Sequence, residues 1–384
     1  RTGDELLAWA NQHRSNLLAK HDRSGLSRRQ DGHAKRAEGS SSLTNYEDDS
    51  TWYTTVQVGT PAADYSLVLD TGSSDVWISS SSYTPADSST FVNKSSAFDI
   101  SYGSGDVAGY VASETFTIAQ HTITGQTFAV ATSVGSGLLD GTTDGIVGLG
   151  FSSLSVDGAQ PIWQSAGETE FSFYLEEDSS TKRATSETAP GGIFTLGGAN
   201  TSLYTGDINW LTVTEEAYWT VQLGGISVQG YSAGIGSLDA AAIDTGTTLL
   251  GGPDTVIAAL YDQIPDSEAL SSAEGYYSYP CDTNINATIT FGNQQYALSS
   301  ADFEVSEISS GVCLGAFFSV GSVTSRSSLN WIVGDVFLKG VYSIFSAGST
   351  ARVGFASLAS GLNNGSSSTT VAQSQGTSGA VGTS

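Results

Sequence analysis

Along most of the chain, apolar positions alternate with polar ones in short runs. Trp52 to Val58 (WYTTVQV) and Glu114 to Ile118 (ETFTI) are representative. Their period of two suits strands with one face buried, and Gly, Ser, Asn or Asp interrupts them at short intervals. From about residue 43 to 358 the pattern predicts β-structure almost throughout. One internal stretch, Asp254 to Ile264 (DTVIAALYDQI), predicts a helix with Asp254 as its cap. A second helical spacing lies at the head, where Leu6, Leu7, Trp9, Leu17 and Leu18 are set among basic residues. From about residue 360 the chain is Ser, Thr and Gly with almost no large apolar side chain, which is too little to fold upon.

Within the β-rich part a pattern occurs twice. Leu67–Ser74 (LVLDTGSS) and Ala241–Thr248 (AAIDTGTT) each end an apolar run in Asp-Thr-Gly and a hydroxyl. Each is followed by Ile-Val-Gly, within DGIVGLGF (144–151) and NWIVGDVF (330–337). The two aspartates, Asp70 and Asp244, are 174 residues apart. Average residue usage would yield one such tetrad in roughly one chain per hundred of this length. Two copies in matched contexts point to two β lobes related by duplication, each contributing one carboxylate.

Read in order, NYEDDSTWYTTVQVGTP, LDTGSSDVW, SYGSGDVAG, DGIVGLG, IDTGTTLL, WIVGDVF and ARVGFA resemble the pepsin-type aspartic endopeptidases, of the fungal secreted kind. The resemblance runs from about residue 37 to 359. It implies an all-β, bilobal fold of two barrel-like lobes with a catalytic cleft between them. It divides the chain into a pro-segment (1–36), an N-terminal lobe (37–215), a C-terminal lobe (216–359) and a disordered tail (360–384). It also implies that Asp70 and Asp244 are the catalytic pair.

The chemistry of such a pair follows from electrostatics. Two carboxylates a few ångströms apart cannot both ionise cheaply, so they share a proton and titrate as a unit. The ionised member can take a proton from a water while the other donates to a carbonyl oxygen. Gly72 and Gly246 would admit backbone close to the carboxylates. Ser73 and Thr247 would offer hydroxyls to the outer carboxylate oxygens, with Thr248 beside them. By the resemblance, Thr71 and Thr245 cross-link the two loops. Asp-Thr-Gly-Ser is also an ordinary turn sequence, the bland alternative for a single copy.

Ser101 to Tyr110 (SYGSGDVAGY) reads as a hairpin with a glycine-rich tip and matches the family's flap. Tyr102 is then the flap tyrosine, bridging toward Trp77, with Gly103 and Ser104 at the tip. Relatives that accept lysine beside the cut usually carry Asp at the position of Ser104, so Ser104 suggests a preference for bulky apolar residues. Ile146 and Phe116 are candidate wall residues, although an ordinary core role fits both. Cys281 and Cys313 match the family's second-lobe disulfide; the alternative is a free thiol.

Charge sharpens the picture. Lys and Arg number 14 against 39 Asp and Glu, a formal net charge of −25. Residues 1–40 nevertheless carry +3, leaving −28 on the rest. So acidic a protein is a poor partner for nucleic acid or anionic membrane. The basic head would instead bind the acidic body, and by the resemblance it is an intramolecular inhibitor, with Lys20 one candidate among its basic residues to sit between Asp70 and Asp244 as a pro-segment lysine does in relatives. The dibasic Lys35-Arg36 offers a processing site.

No cofactor is implied and no metal, since His121 is the single histidine beyond residue 40, too few for a zinc site or a Ser/Cys triad. It reads as a surface strand residue. Sequons at Asn93, Asn200, Asn286 and Asn364 suit glycosylation, and no apolar stretch is long enough to span a membrane. With neither an initiator Met nor an apolar leader, any signal peptide is expected to have been removed already. A secreted, extracellular monomer acting on proteins and peptides is therefore expected, with a removed lipid-anchor signal left open. The rival readings are an inactive peptide-binding homologue and a two-carboxylate glycoside hydrolase.

Overall fold

A computed structural model describes residues 2–21, 38–47, 49–102, 105–139, 141–178, 188–321 and 328–362, with 101, 102 and 105 described by backbone alone. The protein is mostly β, as the alternation predicts: in the strand Thr51–Val58, Val56 and Val58 are buried while Thr55 and Gln57 face out. A 13-stranded sheet, a nine-stranded sheet and a four-stranded sheet account for the described strands.

The duplication is visible in the pairing. In the first half Ala63–Asp70 runs parallel to Gly145–Gly148, which is antiparallel to Val76–Ser79, itself parallel to His121–Val134. In the second half Ala240–Ile243 runs parallel to Trp331–Val333, which is antiparallel to Leu250–Gly252, itself parallel to Phe317–Ser319. Each Ile-Val-Gly is therefore the central strand beside its own Asp-Thr-Gly, which explains why the two motifs travel together. Tyr342–Ser346 and Arg352–Leu358 return to the first half and continue its sheet beyond Glu170–Leu175. Beneath the junction, aromatic rings from both halves interlock, with Phe151 on Trp219 at 4.4 Å and Phe171 stacked on Phe345 at 5.1 Å. Such pairs add about 0.5–1.5 kcal/mol each beyond their burial.

Two helices bear on the sequence expectations. The internal one spans Asp254–Tyr261, but Asp254 does not cap it. Pro253 occupies the cap position, and the Asp254 carboxylate accepts instead from the Gly321 N–H at 2.8 Å. The N-terminal helix, Gly3–Lys20, starts with a capping box in which Thr2 and Glu5 bond reciprocally. It buries Leu6, Ala10, Leu17 and, unusually, Lys20. The strand that follows in the chain, Gly39–Tyr46, lies within the large sheet, between Thr188–Leu196 and Thr51–Val58.

His121 is not on the surface. It is 6% exposed, with one ring nitrogen 2.8 Å from the Ala119 carbonyl oxygen and the other 3.3 Å from the buried Glu168. A carboxylate 47 residues away in the chain makes that position habitable for histidine. Cys281 and Cys313 form a disulfide. It ties Val312–Gly315, an inner strand of the four-stranded sheet, to the turn after Tyr277–Pro280.

Candidate active site

Asp70 ends the strand Ala63–Asp70, and Asp244 immediately follows Ala240–Ile243. Both are buried, at 2% and 0% exposure. The two loops hold their carboxylates by the same bonds. The Gly72 N–H donates to Asp70 Oδ1 at 2.8 Å, and the Gly246 N–H to Asp244 Oδ1 at 2.9 Å. The Ser73 hydroxyl donates to Asp70 Oδ2 at 2.5 Å, and the Thr247 hydroxyl to Asp244 Oδ2 at 2.7 Å.

The threonines interlock the loops. Thr71 N–H donates to Thr245 Oγ1 at 3.1 Å and Thr245 N–H to Thr71 Oγ1 at 3.0 Å. Each hydroxyl then donates to a carbonyl of the opposite strand, that of Ile243 at 2.8 Å and that of Leu69 at 2.7 Å. Glycine is required beside each aspartate by the closeness of the other. A methyl carbon at Gly72 would stand 2.5 Å from Asp244 Oδ2, and one at Gly246 would strike Asp70 Oδ1.

Between the carboxylates sits the Lys20 ammonium, 2.6 Å from Asp70 Oδ1 and 2.8 Å from both oxygens of Asp244. The N-terminal helix ends there, and the Tyr218 hydroxyl donates to the carbonyl of Lys20 at 2.9 Å. His21, fully buried against the Tyr218 ring, places Nε2 3.3 Å from Asp244 Oδ2. Burial alone would raise the Asp244 carboxyl, but Lys20 and His21 hold it well below the usual range. Burial moves Asp70 upward; it outweighs the Lys20 ammonium, and the charge of Asp244 adds to it. For Lys20 burial works downward, and the two carboxylates more than reverse it.

Sequence reasoning gave no role to His21, Tyr218 or Asp335. Asp335, noticed only as the residue after the second Ile-Val-Gly, is 2% exposed, and its N–H donates to the Thr247 carbonyl. Burial pushes its carboxyl well above the usual range, and Asp244 adds to the effect.

The remaining candidates are dispersed. Thr248 donates to the Ser50 carbonyl rather than to a carboxylate. Ile146, with Val68, Leu138 and Leu139, lines a cavity of about 550 Å³ that reaches Thr245 and Gly246 and is walled on one side by Trp9, Gln12 and His13 of the N-terminal helix. Trp77 is fully buried in the same apolar cluster as Ile146. Phe116 is away from the cavity, packed edge-on to Phe128 at 5.3 Å. In the hairpin, Val92–Tyr102 pairs with Gly105–Ile118 and sets Tyr102 opposite Gly105. The Tyr102 side chain, Gly103 and Ser104 lie outside the described residues. Asn93 and Asn286 are exposed and Asn200 half-buried, while Asn364 and the Lys35-Arg36 pair are outside the described residues.

The sequence model of the eukaryotic aspartyl protease family matches residues 51–358. The chain belongs to that family. It is 37% identical to the major aspartyl peptidase 1 of Cryptococcus neoformans var. grubii over 366 residues, covering 88% of this chain and 74% of the relative. An aspartic protease of Phaffia rhodozyma is 36% identical, with coverage of 84% and 80%. Pepsin A of Sus scrofa is 32% identical, with coverage of 84% of each chain. This aspartyl protease is thus a hydrolase, an aspartic-type endopeptidase acting on protein substrates. Among the described residues, no helix is long and apolar enough to cross a membrane.

Proposed function

We propose that this aspartic endopeptidase is made as a zymogen, is secreted, and cleaves proteins at acidic pH by a water activated between Asp70 and Asp244. The observation that carries the reading is the single ammonium held within 2.8 Å of both carboxylates. The space it fills is of a size and polarity to take a water, with oxygens of both aspartates in hydrogen-bond reach. In this reading residues 1–36 are the pro-segment, 37–215 and 216–359 the two lobes, and 360–384 a tail. Lys20 is the counter-charge by which the chain inhibits itself.

Once Lys20 has left, the pair shares one proton and titrates as a unit. The ionised carboxylate takes a proton from the water as its oxygen attacks the scissile carbonyl carbon. The protonated carboxylate gives its proton to the carbonyl oxygen, producing a tetrahedral diol. Collapse of the diol returns a proton to the departing amine, and no covalent intermediate forms. The hydroxyls of Ser73 and Thr247 hold the outer oxygens, and the hairpin carrying Tyr102 closes over the peptide and excludes water. The apolar side that Val68, Leu138, Leu139 and Ile146 give this cavity supports a preference for bulky hydrophobic residues at the cut.

The test is mass mapping of peptides released from a denatured protein by the chain, with and without prior acidification. Cleavage beside large apolar residues after acid treatment, with residues 1–36 lost, is expected, and a statine-type mimic should inhibit it. Replacing Lys20 by Met should expose activity without acid pre-treatment. A chain that stays inert after acid treatment, or one equally active before it, would overturn the reading.

A further inference from the structure

The N-terminal helix does more than deliver Lys20. Six residues earlier, its Arg14 is seated on a wall built from residues 272–276 and the strand Phe317–Ser319. Arg14 Nε donates to the Ser319 carbonyl at 2.7 Å, and Nη2 lies 3.6 Å from Glu274 Oε1. The Arg14 side chain is 17% exposed. Gly275, at φ +86°, is the floor of this cradle. A methyl carbon there would stand 2.5 Å from Arg14 Nε and 2.6 Å from the Ser319 oxygen, so only glycine lets the guanidinium in.

The helix also holds this wall through Asn11, which donates to the Ser272 carbonyl at 2.7 Å and accepts from the Glu274 N–H at 3.2 Å, but the wall has bonds of its own. The Ser319 N–H donates to the Gly275 carbonyl at 2.8 Å, and Tyr276 stacks on Phe318 with ring centres 5.0 Å apart. Both rings also meet His13 of the helix, Phe318 edge-on at 5.3 Å and Tyr276 through its hydroxyl at 2.9 Å. Every acceptor in the cradle belongs to the body of the enzyme. Only the guanidinium belongs to the segment that occupies the cleft.

We propose that, with the helix gone, this cradle is a subsite for a guanidinium side chain of the substrate. The protease then selects arginine at one position remote from the scissile bond, while apolar residues flank the bond itself. The inference rests on the proposed function, since it needs the helix to leave and a peptide to take its place. Six residues of helix correspond to ~9 Å of rise. An extended peptide advancing ~3.3 Å per residue covers that in about three residues, which sets the distance from the bond at which the preference should appear. Arginine should be favoured over lysine, because a planar N–H aimed at a carbonyl beside a carboxylate suits a guanidinium better than a point charge.

The experiment uses the acid-activated chain freed of its N-terminal segment. Internally quenched peptides share the same apolar pair at the bond and carry either arginine or its neutral isostere citrulline at each of four positions on either side. At one position, arginine should be favoured about tenfold in kcat/KM, mostly through KM, as a charge-assisted hydrogen bond would give. Glu274→Gln should narrow that ratio about twofold, the size of effect an exposed carboxylate supplies. Equal cleavage of both peptides at every position overturns the subsite alone. Cleavage of neither overturns the proposed function and the subsite with it.

Discussion

The two Asp-Thr-Gly loops are nearly interchangeable in their bonds and quite different in their surroundings. Each carboxylate receives a glycine N–H and a hydroxyl on corresponding oxygens, and each threonine makes the same two cross-loop bonds. Yet the Asp70 carboxyl is pushed up and that of Asp244 is held down. The difference enters from the N-terminal helix. Lys20 touches one oxygen of Asp70 but both of Asp244, and His21 reaches Asp244 alone. Backbone and hydroxyl chemistry therefore sets the symmetry, and whatever fills the cleft sets the polarity. An empty cleft should make the pair more alike.

The largest effect on this comparison should come from Asp70→Asn and Asp244→Asn. If each half supplies an indispensable carboxylate, either change lowers peptide hydrolysis by several orders of magnitude while circular dichroism stays native. Survival of activity in one variant would break the equivalence of the halves. Smaller, and a test of symmetry, are Thr71→Val and Thr245→Val. Each strands a buried N–H and a buried carbonyl in the opposite loop, at a cost of about 1–3 kcal/mol per unpaired group. Thermal melts should show matched losses, and the double variant should lose about their sum, because the two hydroxyls make separate bonds to backbone groups of the opposite loop. Unequal losses would mean that one loop carries the interlock.

The smallest effect concerns the asymmetry. A carboxyl held low, such as Asp244, stabilises the closed arrangement above its ordinary value of 3.8, and that contribution fades as pH falls below it. The Lys20 contribution is present at every pH below its own ordinary value of 10.5, so it does not set the acid limit. Replacing His21 by Phe keeps a ring against Tyr218 but removes one influence that holds Asp244 down. Release of the helix, followed by tryptophan fluorescence of Trp9, should then begin at a higher pH than in the parent chain. An unchanged or lower onset would show that His21 does not polarise the pair.

The strand periodicity and the repeated tetrad made the β architecture and the two loops legible, because both are local patterns. What was hidden depended on neighbours far along the chain. Nothing around His121 marks it as buried, since its carboxylate partner is Glu168, in another strand connection. Asp254 looks like a helix cap until Pro253 takes that place and Gly321, 67 residues on, offers its N–H. His21 and Asp335 lie beside plain motifs, yet their importance comes from tertiary closeness to Asp244. Charge asymmetry flagged the basic head as a partner for the body, and the resemblance offered Lys20 for the place between the aspartates, but only packing singles out Arg14 from the other cations.

The strand Gly39–Tyr46 is already woven into the large sheet between two neighbours, while the helix ending at Lys20 fills the cleft. A peptide-bond cut anywhere between them would leave every strand pairing untouched. The helix would then be a separate peptide, no longer held at the high local concentration that covalent attachment enforces. From that moment its occupancy would follow mass action, so dilution into a large volume could make a reversible block permanent without any refolding of the enzyme.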